Sequence, residues 1–222
     1  MALTKYNYNS FDVTPVASKA MGFNSGANGL TSISPTSMVL IKTVTASTGD
    51  ATISFVDGTS DIVLDNTYPV YLFKWINVHP SNDGWRLTFQ GNAAGGSGYN
   101  ETITSTTFAA QHGESDSPTE LSYDGSADQA QGTGFQQLSA HNDVGGAEAD
   151  ESLSGYLHLF NPSSTTFVKH FIAVTQYSGW ESRSVNSYTA GYFNTTSAID
   201  EIQFKMSSGN IDAGDICLYG IK

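Results

Sequence analysis

Apolar residues in this chain recur at every second position in short runs, and nowhere at the three- and four-residue spacing a helix needs. The run at residues 38–46 (MVLIKTVTA) is rich in β-branched side chains and ends in a turn-like TGD. In residues 70–78, Val70, Leu72, Ile76 and Val78 fall on one face and Tyr71, Phe73 and Trp75 on the other. A strand apolar on both faces is expected to be central and covered on both sides. Leu87 and Phe89 alternate with polar neighbours, and so do Ile202, Phe204 and Met206 with Glu201, Gln203 and Lys205. Further runs lie at residues 156–160, 166–177, 188–193 and 216–221. One weak helical candidate, a turn or two within residues 126–138, is undercut by Gly132 and Gly134. Roughly ten short strands with Gly, Asn, Asp and Ser turns predict an all-β fold, a two-sheet antiparallel β-sandwich of jelly-roll type.

Residues 1–35 are polar, rich in Asn, Ser and Gly and weakly patterned, so they are expected to form an N-terminal extended arm ahead of a sandwich domain at 36–222. Such an arm is either a loose tail or a docking element on a neighbour. Two long loops are predicted, at residues 91–99 (GNAAGGSGY) and 141–152 (HNDVGGAEADES), where binding on a rigid scaffold tends to sit. A third candidate loop covers residues 177–187.

Charge narrows the function classes. The 222 residues carry 21 acidic and 9 basic side chains, a formal net charge of −12, and only 14% of the chain is charged against a usual quarter or so. Acidity without a basic cluster excludes the usual chemistry of nucleic-acid binding. No apolar stretch is long enough to span a bilayer as a helix, so no membrane partner is expected. The single Cys217 excludes an intrachain disulfide and a cysteine-rich zinc site; placed beside Leu218 in a strand, it reads as a small buried hydrophobe.

Candidate chemical groups are few. Asp143, Glu148, Asp150 and Glu151 offer oxygen ligands for calcium, but lack the ordered spacing of a known calcium loop, and a solvated acidic loop is the favoured account of them. The same two readings apply to Asp57, Asp61 and Asp65. His79, His112, His141, His158 and His170 form no close ligand pair, and His158 and His170 read as packed strand residues. Glu114, Asp116 and Glu120 offer carboxylates of the kind glycoside hydrolysis needs, with nothing to set their separation. No Gly-x-Ser-x-Gly elbow exposes a nucleophile. No catalytic residue, cofactor or metal ligand set is therefore expected. Among the tryptophans, Trp75 reads as core, whereas Trp180, in the turn-like Tyr177-Ser-Gly-Trp-Glu, is a surface candidate; Trp180 and Tyr177 are the expected contacts for a host glycan.

Three stretches carry a family likeness: residues 51–68 (ATISFVDGTSDIVLDNTY), 154–173 (SGYLHLFNPSSTTFVKHFIA) and 190–222 (AGYFNTTSAIDEIQFKMSSGNIDAGDICLYGIK). In these the chain resembles a family of small virion structural proteins encoded by marine tailed bacteriophages, cyanophages among them. The likeness runs from about residue 37 onward and is most specific in its closing segments. It implies a setting rather than a set of catalytic residues: a protein made in the cytoplasm of the infected bacterium and built into the virion. Within that setting the expected role is a non-enzymatic capsid decoration or cement protein on the head exterior, bound to the phage major capsid protein and to copies of itself, as a homotrimer. The alternative is a tail fibre or receptor-binding protein, attached to tail proteins and meeting host glycan through its loops. Residues 91–99 and 180–185 are where members of such a family are expected to differ.

Overall fold

A computed structural model describes residues 20–23, 30–33, 37–140 and 143–222. The chain divides into two units, residues 1–39 and 40–222. In the first unit, β1 (Ala20–Phe23) and β2 (Leu30–Ile33) pair antiparallel with Ala20 opposite Ile33. The expected arm thus contains a two-stranded ribbon; its first 19 residues, and with them the question of tail or docking arm, lie outside the described residues.

The second unit is built wholly of strands: β3 (Met38–Thr45, belonging here from Leu40), β4 (Ile53–Val56), β5 (Val70–Pro80), β6 (Leu87–Ala93), β7 (Ile103–Gly113) and β8 (Thr119–Tyr123). They are followed by β9 (Ala130–Gly132), β10 (Gln136–Gln137), β11 (Leu153–Phe160), β12 (Lys169–Gly179), β13 (Arg183–Phe193), β14 (Ile199–Met206) and β15 (Ile211–Ile221). Among the described residues there is no helix, so none crosses a membrane; residues 126–138 hold a turn and the short strands β9 and β10 instead of the helical turns expected there.

Two antiparallel sheets pack face to face, which is the predicted sandwich. One has four strands in the order β10-β6-β14-β4; the other runs β3-β15-β5-β11-β12-β13-β7-β8, with β9 added beside β7. Between them lies an aromatic core. Phe55 on β4 meets Phe73 on β5 edge to face at 5.3 Å, and Phe89 on β6 meets Phe171 on β12 at 5.0 Å. Phe204 on β14 touches Phe73 at 5.4 Å, so rings from both sheets interlock. Ile202, Phe204 and Met206 point inward as the alternation of β14 requires.

β5 departs from its expected environment. Tyr71, Phe73 and Trp75 fill the core and Leu72 on the other face is also buried, but Ile76 on that face is 41% exposed, so the outer side of the strand is covered only in part. Asn77 has φ 49°, and the pairing with β15 shifts register between Ala213 and Asp215. That bulge returns Val78 to the core where strict alternation would have placed Asn77.

Beneath β7 and β13 the interior changes character. The inward residues there are Ser105, Thr107, Gln111, Ser187 and Thr189, all buried, and the layer over them includes the segment 124–140. Ser105 Oγ donates to Gln136 Oε1 at 2.6 Å, and Gln90 Nε2 donates to the carbonyls of Glu101, Thr133 and Gly134. Burial of these hydroxyls and amides is tolerable because they find partners. Lys169 is fully buried at the start of β12, with Nζ donating to the carbonyls of Phe167 and Thr195 at 3.0 Å each; burial lowers its pKa, against the opposing charge of Glu101.

Candidate functional site

Three surfaces merit a functional reading, and the first is the turn region where Trp180 was expected. β12 and β13 form a continuous hairpin to Gly179 opposite Arg183, so the candidate loop 177–187 reduces to the turn 180–182. Trp180 stands on that turn, 50% exposed, with its amide donating to the carbonyl of Asp143 at 3.1 Å. Tyr177 does not join it. Its inward position on β12 leaves it 2% exposed, and its hydroxyl donates to the carbonyl of Ala140. Burial pushes the Tyr177 pKa upward. The pair expected as a stacking platform is split between surface and core, because alternation along β12 sends residue 177 inward.

The second surface is acidic. The candidate loop 141–152 is pinned at Val144, which is fully buried and bridges to both Trp85 and Gly179. Asp143 leaves the acidic group to pair with Arg86 at 2.5 Å, and Arg86 also donates to Gln137 Oε1 at 2.7 Å. Glu148 and Glu151 are instead joined by Asp83, the three carboxylates having oxygens within 4.8 Å of one another. Sequence reasoning missed Asp83 because it lies more than sixty residues away. Hard oxygen donors are those a calcium ion takes. Two of them already accept internal hydrogen bonds: Asp83 Oδ1 from the amides of Gly146 (2.8 Å) and Ala147 (3.0 Å), and Glu151 Oε2 from the amide of Glu148 (3.3 Å). Burial, then the charges of Glu148 and Asp83, raise the Glu151 pKa. An open groove of about 780 Å³ beside this cluster is lined by His79, Asp150, Glu151, Asp212 and Asp215.

The other sequence candidates are placed as follows. Asp57 Oδ1 accepts from the Leu64 amide at 2.8 Å and Asp65 Oδ1 from the Thr67 amide at 2.7 Å, so both cap their own turns. Asp61, beside them, takes up φ 66° in the same turn. Of the carboxylates Glu114, Asp116 and Glu120, Glu120 on β8 accepts from Gln111 Nε2 at 2.7 Å, and Asp116 stands exposed on a turn 3.4 Å from His112. Glu114 lines a separate groove of about 460 Å³ with His112 and Arg183. His170 is exposed on β12 rather than packed, His158 is half-buried, and His141 lies outside the described residues. Cys217 is buried and accepts from Thr43 Oγ1 at 3.4 Å, as a small strand hydrophobe would.

The third surface is the outer face of the large sheet, and no reading of the sequence anticipated it. Register lines up Tyr123, Phe108, Tyr188, Val174, Tyr156 and Lys74 as direct cross-strand partners from β8 to β5. Tyr123 is 59% exposed, Phe108 43%, Tyr188 41% and Tyr156 38%. Phe108 and Tyr188 stack at 5.0 Å with planes only 6° apart. Two residues further along the same strands lies a shallow depression of about 440 Å³ whose lining includes Thr104, Thr106, Ala190, His170, Ile172 and Tyr192.

Compared with known protein families, curated proteins and solved structures, the chain matches none.

Proposed function

We propose that this chain is a non-enzymatic structural protein of a tailed-bacteriophage virion, a decoration or cement protein on the head exterior. The observation that carries the reading is the order of eight strands shared between the two sheets. Along the chain β3, β5, β11 and β15 fall in the large sheet and β4, β6, β10 and β14 in the small one, and they lie as β3-β15-β5-β11 and β4-β14-β6-β10. This order supports reading the sandwich as a jelly roll, an architecture that serves in viral capsids and in lectins. The support is a likeness of fold, so it raises the setting rather than naming an activity. The sequence stretches that resemble phage structural proteins support the same setting. The remaining strands, β7, β8, β9, β12 and β13, all extend the large sheet. They give the sandwich a broad flank on one sheet.

Partners in this reading are the major capsid protein and further copies of the chain, and the place of action is the virion. A second reading, a tail-fibre or receptor-binding protein meeting host glycan, is favoured by Trp180, half exposed on the β12–β13 turn. Quantitative mass spectrometry of purified virions separates the two. A copy number near that of the major capsid subunit is expected for decoration. A handful of copies per particle contradicts it and leaves the tail, and total absence from virions overturns both.

A further inference from the structure

We infer that the outer face of the large sheet is a self-association surface, on which a second copy of this chain packs about a two-fold axis. The inference stands on the face itself and not on the virion reading.

Charge is the first argument. The chain carries a net −12, so two copies repel over most of their surfaces. On the half of the sheet from the Tyr188 row to the Tyr192 row, none of the outward positions of β15, β5, β11, β12, β13, β7 and β8 is Asp or Glu. Lys74 is the one full charge among them. The acidic residues Asp212, Asp215, Asp150 and Glu151 lie at the other end, around the open groove. An area rich in Tyr and Phe and depleted of carboxylates has the composition of an interface centre.

Area is the second argument. Six strands, β15 to β7, at ~4.8 Å spacing and about three outward residues per strand make a patch of roughly 24 by 20 Å, about 500 Å² in plan, to which β8 adds Tyr123 at one edge. With side-chain relief this reaches the order of 800 Å² per partner that a stable interface buries.

Shape decides the symmetry and the partner. The ridge of Phe108 and Tyr188 and the dip over Thr106 and Ala190 lie two residues apart on the same strands, β7 and β13. A two-fold axis between ridge and dip seats each copy's ridge in the other's dip, the reciprocal contact of an isologous pair.

Sedimentation velocity on the full chain, from about 1 to 100 µM, tests this together with Tyr188→Glu on the ridge and Thr106→Lys in the dip. Thr106 is exposed, so its substitution leaves the core untouched; circular dichroism and melting check both variants. The wild type is expected to form dimers, and each variant alone to weaken association at least about 100-fold. An equimolar mixture of the two variants is expected to recover dimers, since a ridge Glu then meets a dip Lys. A wild type that stays monomeric at 100 µM overturns the inference, as does a trimer. Dimers that persist in both folded variants, or a variant mixture that stays monomeric, overturn it equally.

Discussion

Phe204 sits against four other rings, Phe55, Phe73, Trp75 and Phe89, at centroid distances from 5.4 to 6.2 Å. It joins β14 of the small sheet to β5 of the large one. Truncating it removes contacts to both layers at once, and Phe204→Ala is expected to cost about 3–5 kcal/mol in urea unfolding. That residue was legible in the sequence, because period-two alternation alone sends it inward. Tyr177 was not: its Ser-Gly-Trp neighbours read as a turn, yet the strand runs on to Gly179 and the inward parity buries it. A buried tyrosine is stable there because its hydroxyl meets the Ala140 carbonyl. His158, flanked on its face by Tyr156 and Phe160, carries a titration. Burial lowers its pKa from 6.5. Above about pH 7 it is neutral in both folded and unfolded chains. As pH falls through about 6.5 the unfolded chain binds the proton first, so stability drops until the folded-state pKa is passed. The loss in melting temperature between about pH 7.5 and 5.5 is therefore expected to be smaller in His158→Gln than in the wild type.

At the scale of elements, β11 is held by the absence of a side chain. A Cβ on Gly155 would lie 2.2 Å from the Val174 carbonyl oxygen, 2.7 Å from Trp75 Nε1 and 2.9 Å from Thr175 Cα. Two of these are backbone atoms of the paired strand β12, which cannot step aside singly. Gly155→Ala is expected to destabilise by about 1–3 kcal/mol, measured as a lower urea midpoint. The segment before β11 carries the opposite prediction. Burial and the charges of Glu148 and Asp83 raise the Glu151 pKa, so its ionised form at pH 7 costs stability. That cost is present above the folded-state pKa and is relieved as pH falls through it toward the unfolded value. Glu151→Gln is expected to melt higher at pH 7, with the difference gone near pH 4. Elements differed in legibility for a physical reason. β5 and β14 announce themselves by apolar alternation, whereas the inward positions of β7 are largely Ser105, Thr107, Ala109 and Gln111. Their burial depends on hydrogen-bond partners supplied from β13 and from segment 124–140, which no local pattern in β7 reveals. The long loops were partly misread for the same reason: Gly91–Ala93 continues β6, and Val144 ties the acidic loop down.

For the whole molecule, the exposed aromatic row is a product of register. Tyr123, Phe108, Tyr188 and Tyr156 are scattered along the sequence and become neighbours only when β8, β7, β13, β12 and β11 pair. Sequence periodicity predicted a sandwich and could not say which face of its larger sheet stays open. It also led to the expectation that β5 is covered on both sides. That expectation holds at Leu72, which is buried, and fails at Ile76, which stands exposed beside the acidic groove. The net charge of −12 takes on a directional meaning, since the acidic groups stand away from the band and leave it the least repulsive approach between copies. Hydroxyl-radical footprinting of intact virions against the dilute free protein tests this account most directly. In virions the rings of Phe108, Tyr188, Tyr123 and Tyr156 are expected to be protected while Trp180 still labels. Equal labelling of those four rings in virion and dilute protein contradicts it.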